Sequence, residues 1–312
     1  MDVSALGYGK DLFILPFDHR SSFEAGLLGI RGRQATPEEV EQLSAYKQVI
    51  YEGFLEGLRE GVPNRIAAIL VDQKYGEEIL ADANQRGITT CTSVEKSGQA
   101  EFDFEYGDDF GKRLRDAAPT FAKALVRYNS GGDADGNENQ RRRLKVLSDH
   151  SHSAGYKFMF ELLVPATESQ LESVGQDRNA YDRDVRPELV VRALRELQEA
   201  GIEPDVWKLE GVDDRQAARN VVAQARAGGR GNVGVIVLGR GEDEKRVRDW
   251  LTIGAQTEGV IGFAVGRTVF WQPLIEYKDG GISRAEAVSR IAGTYHRLYR
   301  LFVDARAKSA AP

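Results

Sequence analysis

Cysteine is nearly absent: Cys91 stands alone in 312 residues. No intramolecular disulfide can form and no set of thiolates is available for zinc, so a reducing cytosol is the expected compartment. Histidine is almost as scarce. His19, His150, His152 and His296 are scattered, and a helix carrying both His150 and His152 turns them to different sides. No metal site is expected, and the three later histidines read as packing or surface residues. No apolar run approaches the ~18 residues that mark a membrane span. The opening MDVSALGYGKDLFILPFDHR has no basic segment leading into a long apolar one, so neither export nor membrane insertion is expected. An excess of positive charge is missing too. The formal net charge of −6 argues against a general nucleic-acid face and leaves room only for a local basic pocket.

What is present is a soluble composition, 41% hydrophobic and 29% charged, sufficient for a sizeable core. Short apolar runs alternate with helical stretches. Runs at 12–17, 66–71, 88–93, 121–126, 157–164, 206–209, 233–238 and 260–265 read as strands, several of them ending in polar or glycine-rich turns. Between them, Thr36-Pro37-Glu38-Glu39 spells a capping box, and Val40, Leu43, Ile50, Phe54 and Leu58 form the stripe of the helix it opens. Residues 99–120 read as a charged, irregular or partly helical excursion, 129–139 as a mobile turn-rich loop, and 175–184 as a polar loop. Helices are expected at 140–152, 187–200, 242–253 and from a cap at Asp213 or Asp214 to 227. A terminal helix opens at Ser283 and Glu286, with Tyr295, Leu298 and Phe302 on one face that either packs on its own barrel or docks a second copy. Alternating strands and helices imply a parallel sheet, and about eight such units predict an α/β fold closed as a (β/α)8 TIM barrel. One domain is expected over 1–312, with a loose tail after about 307.

In such a barrel chemistry sits where the strands end. Those places hold Asp18, Asp72, Glu95 with Lys96, Lys123, Glu161, Lys208, Gly239-Arg240-Gly241 and Gly266-Arg267. Lys208 lies inside the apolar strand DVWKLEG. It either snorkels out or pairs with an acid such as Glu210, or it serves as the amine that forms a Schiff base with a carbonyl substrate. A neighbouring cation such as Lys123 favours the neutral amine, and a carboxylate such as Glu161 can carry protons through carbinolamine formation and dehydration. The bland alternative is that these groups form buried ion pairs and nothing more. Glycine-rich turns after the seventh and eighth strands, each with an arginine, suit a phosphate.

The stretches PFDHRSSF, VDQKYG, SVEKSG, AKALVRYN, FELLVP, DVWKLEG and GFAVGRTVFWQ, in this order, resemble class I aldolases of the tagatose-1,6-bisphosphate aldolase type. The likeness is greater to the aldolase-like domain of bifunctional 5-dehydro-2-deoxygluconokinases of myo-inositol breakdown, here without the kinase part. The resemblance implies a Schiff-base lysine at Lys208, an acid/base glutamate at Glu161 and an assisting lysine at Lys123. It also implies Asp18 and Lys96 at substrate hydroxyls or charges, and phosphate at Gly266 and Arg267. One departure is Leu238-Gly239-Arg240, where tagatose-type enzymes have a serine beside the glycine. Arg240, Arg20 or Arg127 can then meet a carboxylate, with Asp72, Gly239 and Gly241 in the same substrate-binding set. The implied reaction is cleavage of 6-phospho-5-dehydro-2-deoxygluconate to dihydroxyacetone phosphate and malonate semialdehyde, without cofactor. A tagatose- or sulfosugar-phosphate aldolase, a metal-dependent class II aldolase and a non-catalytic sugar-phosphate-binding barrel are the alternatives. The expected partners are a phosphorylated keto sugar acid or ketose phosphate, no nucleic acid, no membrane, and further copies of the chain in a homo-oligomer.

Overall fold

Near-continuous apolar runs decide the architecture, because a strand apolar on both faces must bury both, as a parallel sheet covered by helices allows. In a computed structural model describing residues 2–310, strands β1 (Leu12–Pro16), β2 (Ala67–Leu70), β3 (Thr89–Ser93), β4 (Phe121–Arg127), β5 (Lys157–Leu163), β6 (Val206–Glu210), β7 (Gly234–Leu238) and β8 (Val260–Ala264) pair in parallel in sequence order. β8 returns to β1 with Gly262 opposite Leu12 and Ala264 opposite Ile14, closing the barrel. The expected (β/α)8 TIM barrel is the observed fold. Leu12, Ile14, Leu70, Phe121, Met159, Val206 and Ile236 point inward and fill its floor. Phe13, Leu15, Phe160 and Trp207 alternate outward against the helices.

The helices are α1 (Ser21–Leu28), α2 (Pro37–Arg59), α3 (Gln73–Gln85), α4 (Phe110–Ala117), α5 (Ala134–Ser153), α6 (Glu168–Ser173), α7 (Arg178–Ala180), α8 (Arg186–Glu199), α9 (Arg215–Ala225), α10 (Glu244–Ala255), α11 (Arg267–Lys278) and α12 (Arg284–Ala310). α2 opens with the predicted capping box, Thr36 accepting from Glu39 N at 3.3 Å and Glu39 accepting from Thr36 N at 2.8 Å. The aromatic face of α12 is turned inward: Tyr295 is buried and its hydroxyl donates to the Phe13 carbonyl at 2.7 Å. Among the described residues no helix is long and apolar enough to cross a membrane.

Two local expectations need correction, and one helix went unforeseen. Residues 134–139 are helical, since Asp133 caps α5 and the buried Asn137 donates to the Asn129 carbonyl at 2.8 Å, so polar side chains here serve backbone partners. The polar stretch at 175–184 is largely helical turns, with Tyr181 and Asp182 buried. α11 was hidden by Pro273, which removes one helical donor; Val269, Phe270 and Leu274 bury that helix against the barrel all the same. α12 runs to Ala310, and the last part of the tail expected to be loose after about 307, residues 311–312, lies outside the described residues.

Barrel closure places a strict demand on Gly262, where an added Cβ would lie 1.9 Å from the Leu12 carbonyl oxygen. Gly262→Ala should therefore force β8 away from β1 and cost at least ~3 kcal/mol. A urea midpoint equal to that of the unmodified protein would show that the seam yields more readily than this contact implies.

Candidate active site

The same alternation that lays down the apolar floor sets the layer above it. Two residues beyond Phe121, Met159 and Val206, on the same inward face, come Lys123, Glu161 and Lys208. Parallel register then aligns them, Glu161 standing opposite Lys208. A single oxygen of Glu161, Oε2, lies 2.8 Å from Lys208 Nζ and 2.9 Å from Lys123 Nζ. Lys123 also reaches Asp18 and Glu95, each at 2.8 Å. All five side chains are at least nine-tenths buried. Arg20, 3.6 Å from Glu95, adds the third positive charge to match three carboxylates.

Burial and pairing compete at every member of this cluster. At Lys123 burial favours the neutral amine, but Asp18, Glu161 and Glu95 together outweigh it and hold the group well above the ordinary lysine value. Lys123 is thus a fixed positive charge. Burial works to raise Asp18 and Glu161, yet the charges of Lys123 and Lys208 prevail and keep both below the usual carboxylate range. Glu95 goes the other way: burial dominates Lys123 and Arg20, and its pKa is raised.

These groups line a cavity of about 430 Å³ at the C-terminal ends of the strands. Of the fourteen residues placed from sequence at the strand ends or in the substrate-binding set, thirteen line it: Asp18, Arg20, Glu95, Lys96, Lys123, Arg127, Glu161, Lys208, Gly239, Arg240, Gly241, Gly266 and Arg267. Asp72 does not. It accepts from Tyr75 N at 3.0 Å, capping α3, and its other oxygen pairs with the buried Lys47. Lys47 also donates to the Phe17 and His19 carbonyls at 2.7 and 3.0 Å, pinning the backbone on both sides of Asp18. A lysine in the apolar stripe, between Leu43 and Ile50, was the sequence signal for this pair.

The arginines divide into engaged and open groups. Arg20 Nη2 donates to the Glu95 carbonyl at 2.6 Å and Nη1 pairs with Glu105 at 3.1 Å. Arg240, at φ 52° in the left-handed region, is held by Asp182 at 2.9 Å and Glu210 at 3.0 Å. No signal in the polar stretch marked Asp182 for this part. Arg267, Lys96 and Arg127 line the cavity with no ion pair among the described residues. Arg267 is the first residue of α11, and Gly266 before it admits no side chain, since a Cβ would meet the Pro16 carbonyl at 2.2 Å. The helix N-terminus, a glycine and an unpaired guanidinium make a cradle suited to an anion. Among the described residues no group of three or more His, Cys, Asp or Glu is arranged to hold a metal ion.

The fold and this cluster define a class: a closed (β/α)8 barrel with a lysine–carboxylate constellation at the C-terminal ends of its strands. The chain belongs to the family described as "Uncharacterized protein conserved in bacteria (DUF2090)", whose model matches residues 6–306. No curated protein matches. Among solved structures, a fructose-bisphosphate aldolase from Plasmodium falciparum superposes with a TM-score of 0.66 at 13% identity, covering 99% of this chain and 94% of that one. A Corynebacterium glutamicum protein gives 0.55 at 18% identity over 94% and 88% of the two chains. An archaeal fructose 1,6-bisphosphate aldolase gives 0.56 at 14% identity over 94% of each. At these identities the likeness is one of fold.

His19, on the cavity rim, carries a testable charge property. Burial lowers its pKa from 6.5 to about 4; Asp18 opposes this, while Arg267, Lys47 and Lys208 add to it. Between those two values the unfolded chain binds a proton that the folded chain does not, so stability falls as pH drops through that window. Urea midpoints followed from pH 7 to pH 4 should show a loss on the order of 2 kcal/mol that His19→Gln removes. An unchanged pH slope in the variant would place the effect elsewhere.

Proposed function

We propose that this protein is a class I aldolase that cleaves 6-phospho-5-dehydro-2-deoxygluconate to dihydroxyacetone phosphate and malonate semialdehyde. The observation that carries the reading is the Glu161 carboxylate shared between Lys208 and Lys123 at the mouth of the barrel. A lysine used only to close an ion pair would need one carboxylate; here the pair sits in a cavity of small-ligand size, beside a lysine that stays charged. Fold likeness to fructose-bisphosphate aldolases is consistent with it by analogy.

In this reading Lys208 attacks the C5 ketone and Glu161, in contact with Nζ, takes and returns the protons needed to expel water. The iminium then draws the electron pair of the C3–C4 bond as a base removes the C3 hydroxyl proton. Lys123 holds Glu161 and Asp18 in place and supplies fixed positive charge. The phosphate occupies the Gly266–Arg267 cradle. Arg127 and Lys96, unpaired on the wall formed by the β3 and β4 exits, meet the carboxylate, a task for which Arg240 and Arg20 are already engaged. A ketose bisphosphate would fit the same two cationic poles, so comparing turnover of the two substrate types decides between them.

Borohydride reduction with dihydroxyacetone phosphate, followed by peptide mass mapping, should leave a stable adduct on Lys208. Lys208→Met should lose both adduct and turnover while melting normally; full retained activity would end the proposal. Glu161→Gln should lower kcat by about 100- to 10,000-fold, and turnover within a few-fold of the unmodified enzyme would remove Glu161 from the proton path.

A further inference from the structure

The Schiff-base reading leaves one proton unassigned, that of the substrate hydroxyl beside the bond that breaks. Three carboxylates surround Lys123, and they are not equivalent. Glu95 sits just beyond β3, where its backbone bridges Phe104 and its carbonyl accepts from Arg20 Nη2 at 2.6 Å. The following residue is fixed as well, Lys96 N donating to the Asp103 carbonyl at 2.9 Å. The carboxylate is therefore held from a rigid base. One of its oxygens, Oε1, accepts from Lys123 at 2.8 Å. The other, Oε2, is buried and has no hydrogen-bond partner among the described residues, although Glu95 lines the cavity.

A buried acceptor left open costs roughly 1–3 kcal/mol, and because Glu95 belongs to the cavity wall, a donor entering the cavity, water or a substrate hydroxyl, would relieve it. We infer that Glu95 is a catalytic residue whose free oxygen accepts the substrate hydroxyl proton during carbon–carbon cleavage. This rests on the Schiff-base reading above. The hydroxyl O–H bond breaks and its proton passes to Glu95 Oε2. The O–H electron pair forms the aldehyde C=O, the C3–C4 bond breaks, and its pair neutralises the Lys208 iminium as an enamine. In the condensing direction the protonated Glu95 returns the proton to the new alkoxide. Asp18 and Glu161 are poorer candidates, since Lys123 and Lys208 keep both below the ordinary carboxylate range and so weaken them as bases. Burial acts on Glu95 in the opposite sense and makes it the more basic carboxylate.

Three readouts on the unmodified enzyme and Glu95→Gln test this. Borohydride labelling of Lys208 by dihydroxyacetone phosphate, and exchange of that ketone's methylene hydrogen with deuterated water, involve no cleaved hydroxyl and should persist in the variant. Cleavage of 6-phospho-5-dehydro-2-deoxygluconate should fall in kcat by about 100- to 10,000-fold with KM within about threefold. A variant that cleaves at the unmodified rate overturns the proposal. Equal loss of labelling, exchange and cleavage also overturns it, because Glu95 would then be a support for Lys123. Absence of labelling in the unmodified enzyme overturns the Schiff-base reading itself, which no result on the variant can mimic. If Glu95→Gln does not melt as a folded protein, Glu95→Asp, which withdraws the carboxylate by one methylene, is read by the same three criteria.

Discussion

One carboxylate oxygen shared by two buried ammonium groups is the interaction on which the upper half of this barrel depends. Glu161 Oε2 can serve both Lys123 and Lys208 only because β4, β5 and β6 run in parallel register with inward faces two residues apart. A slip of one residue in any of the three strands would send its charged side chain into the outer apolar layer. Buried charges are costly unless paired and hydrogen-bonded, so the cluster constrains the strands as firmly as the strands position the cluster. The apolar floor of Leu12, Phe121, Met159 and Val206 lies directly beneath and keeps water from the lower side.

Outside this layer, further buried ion pairs fix the loops that complete the cavity. Lys47 and Asp72 tie α2 to the β1 and β2 exits, and through the Phe17 and His19 carbonyls they set the path of the chain at Asp18. Asp182 and Glu210 hold Arg240, and the Arg240 carbonyl in turn accepts from Arg267 at 3.2 Å. Neutralising some cations in this way decides which others face a ligand. Arg267 remains at one pole of the cavity, Lys96 and Arg127 at another, with Lys208 on the inner face.

The correspondence between sequence and structure follows a physical line. Short-range regularities were legible: apolar runs alternating with helical stretches, the Thr36–Glu39 box, and charged residues in or just after strands together imply the barrel and bring thirteen of fourteen chosen residues to one cavity. Pro273 concealed α11, and the polar run at 134–139 concealed the start of α5, because local composition there is overruled by contacts with distant backbone. Asp72 stands apart from the cavity for a related reason. Its partner, Lys47, lies 25 residues away on another element, and nothing local shows that the two meet.

What the sequence by itself determined is the strand and helix alternation and, through period two, which residues share the inward face at the strand ends. Those are properties of neighbours along the chain. Only the tertiary structure decided how each charge is used: Lys123 among three carboxylates, Arg240 turned to Asp182 and Glu210, and Glu95 left with an open oxygen. Pairing among buried ions depends on distances between different strands and loops, and a linear sequence carries no such distances.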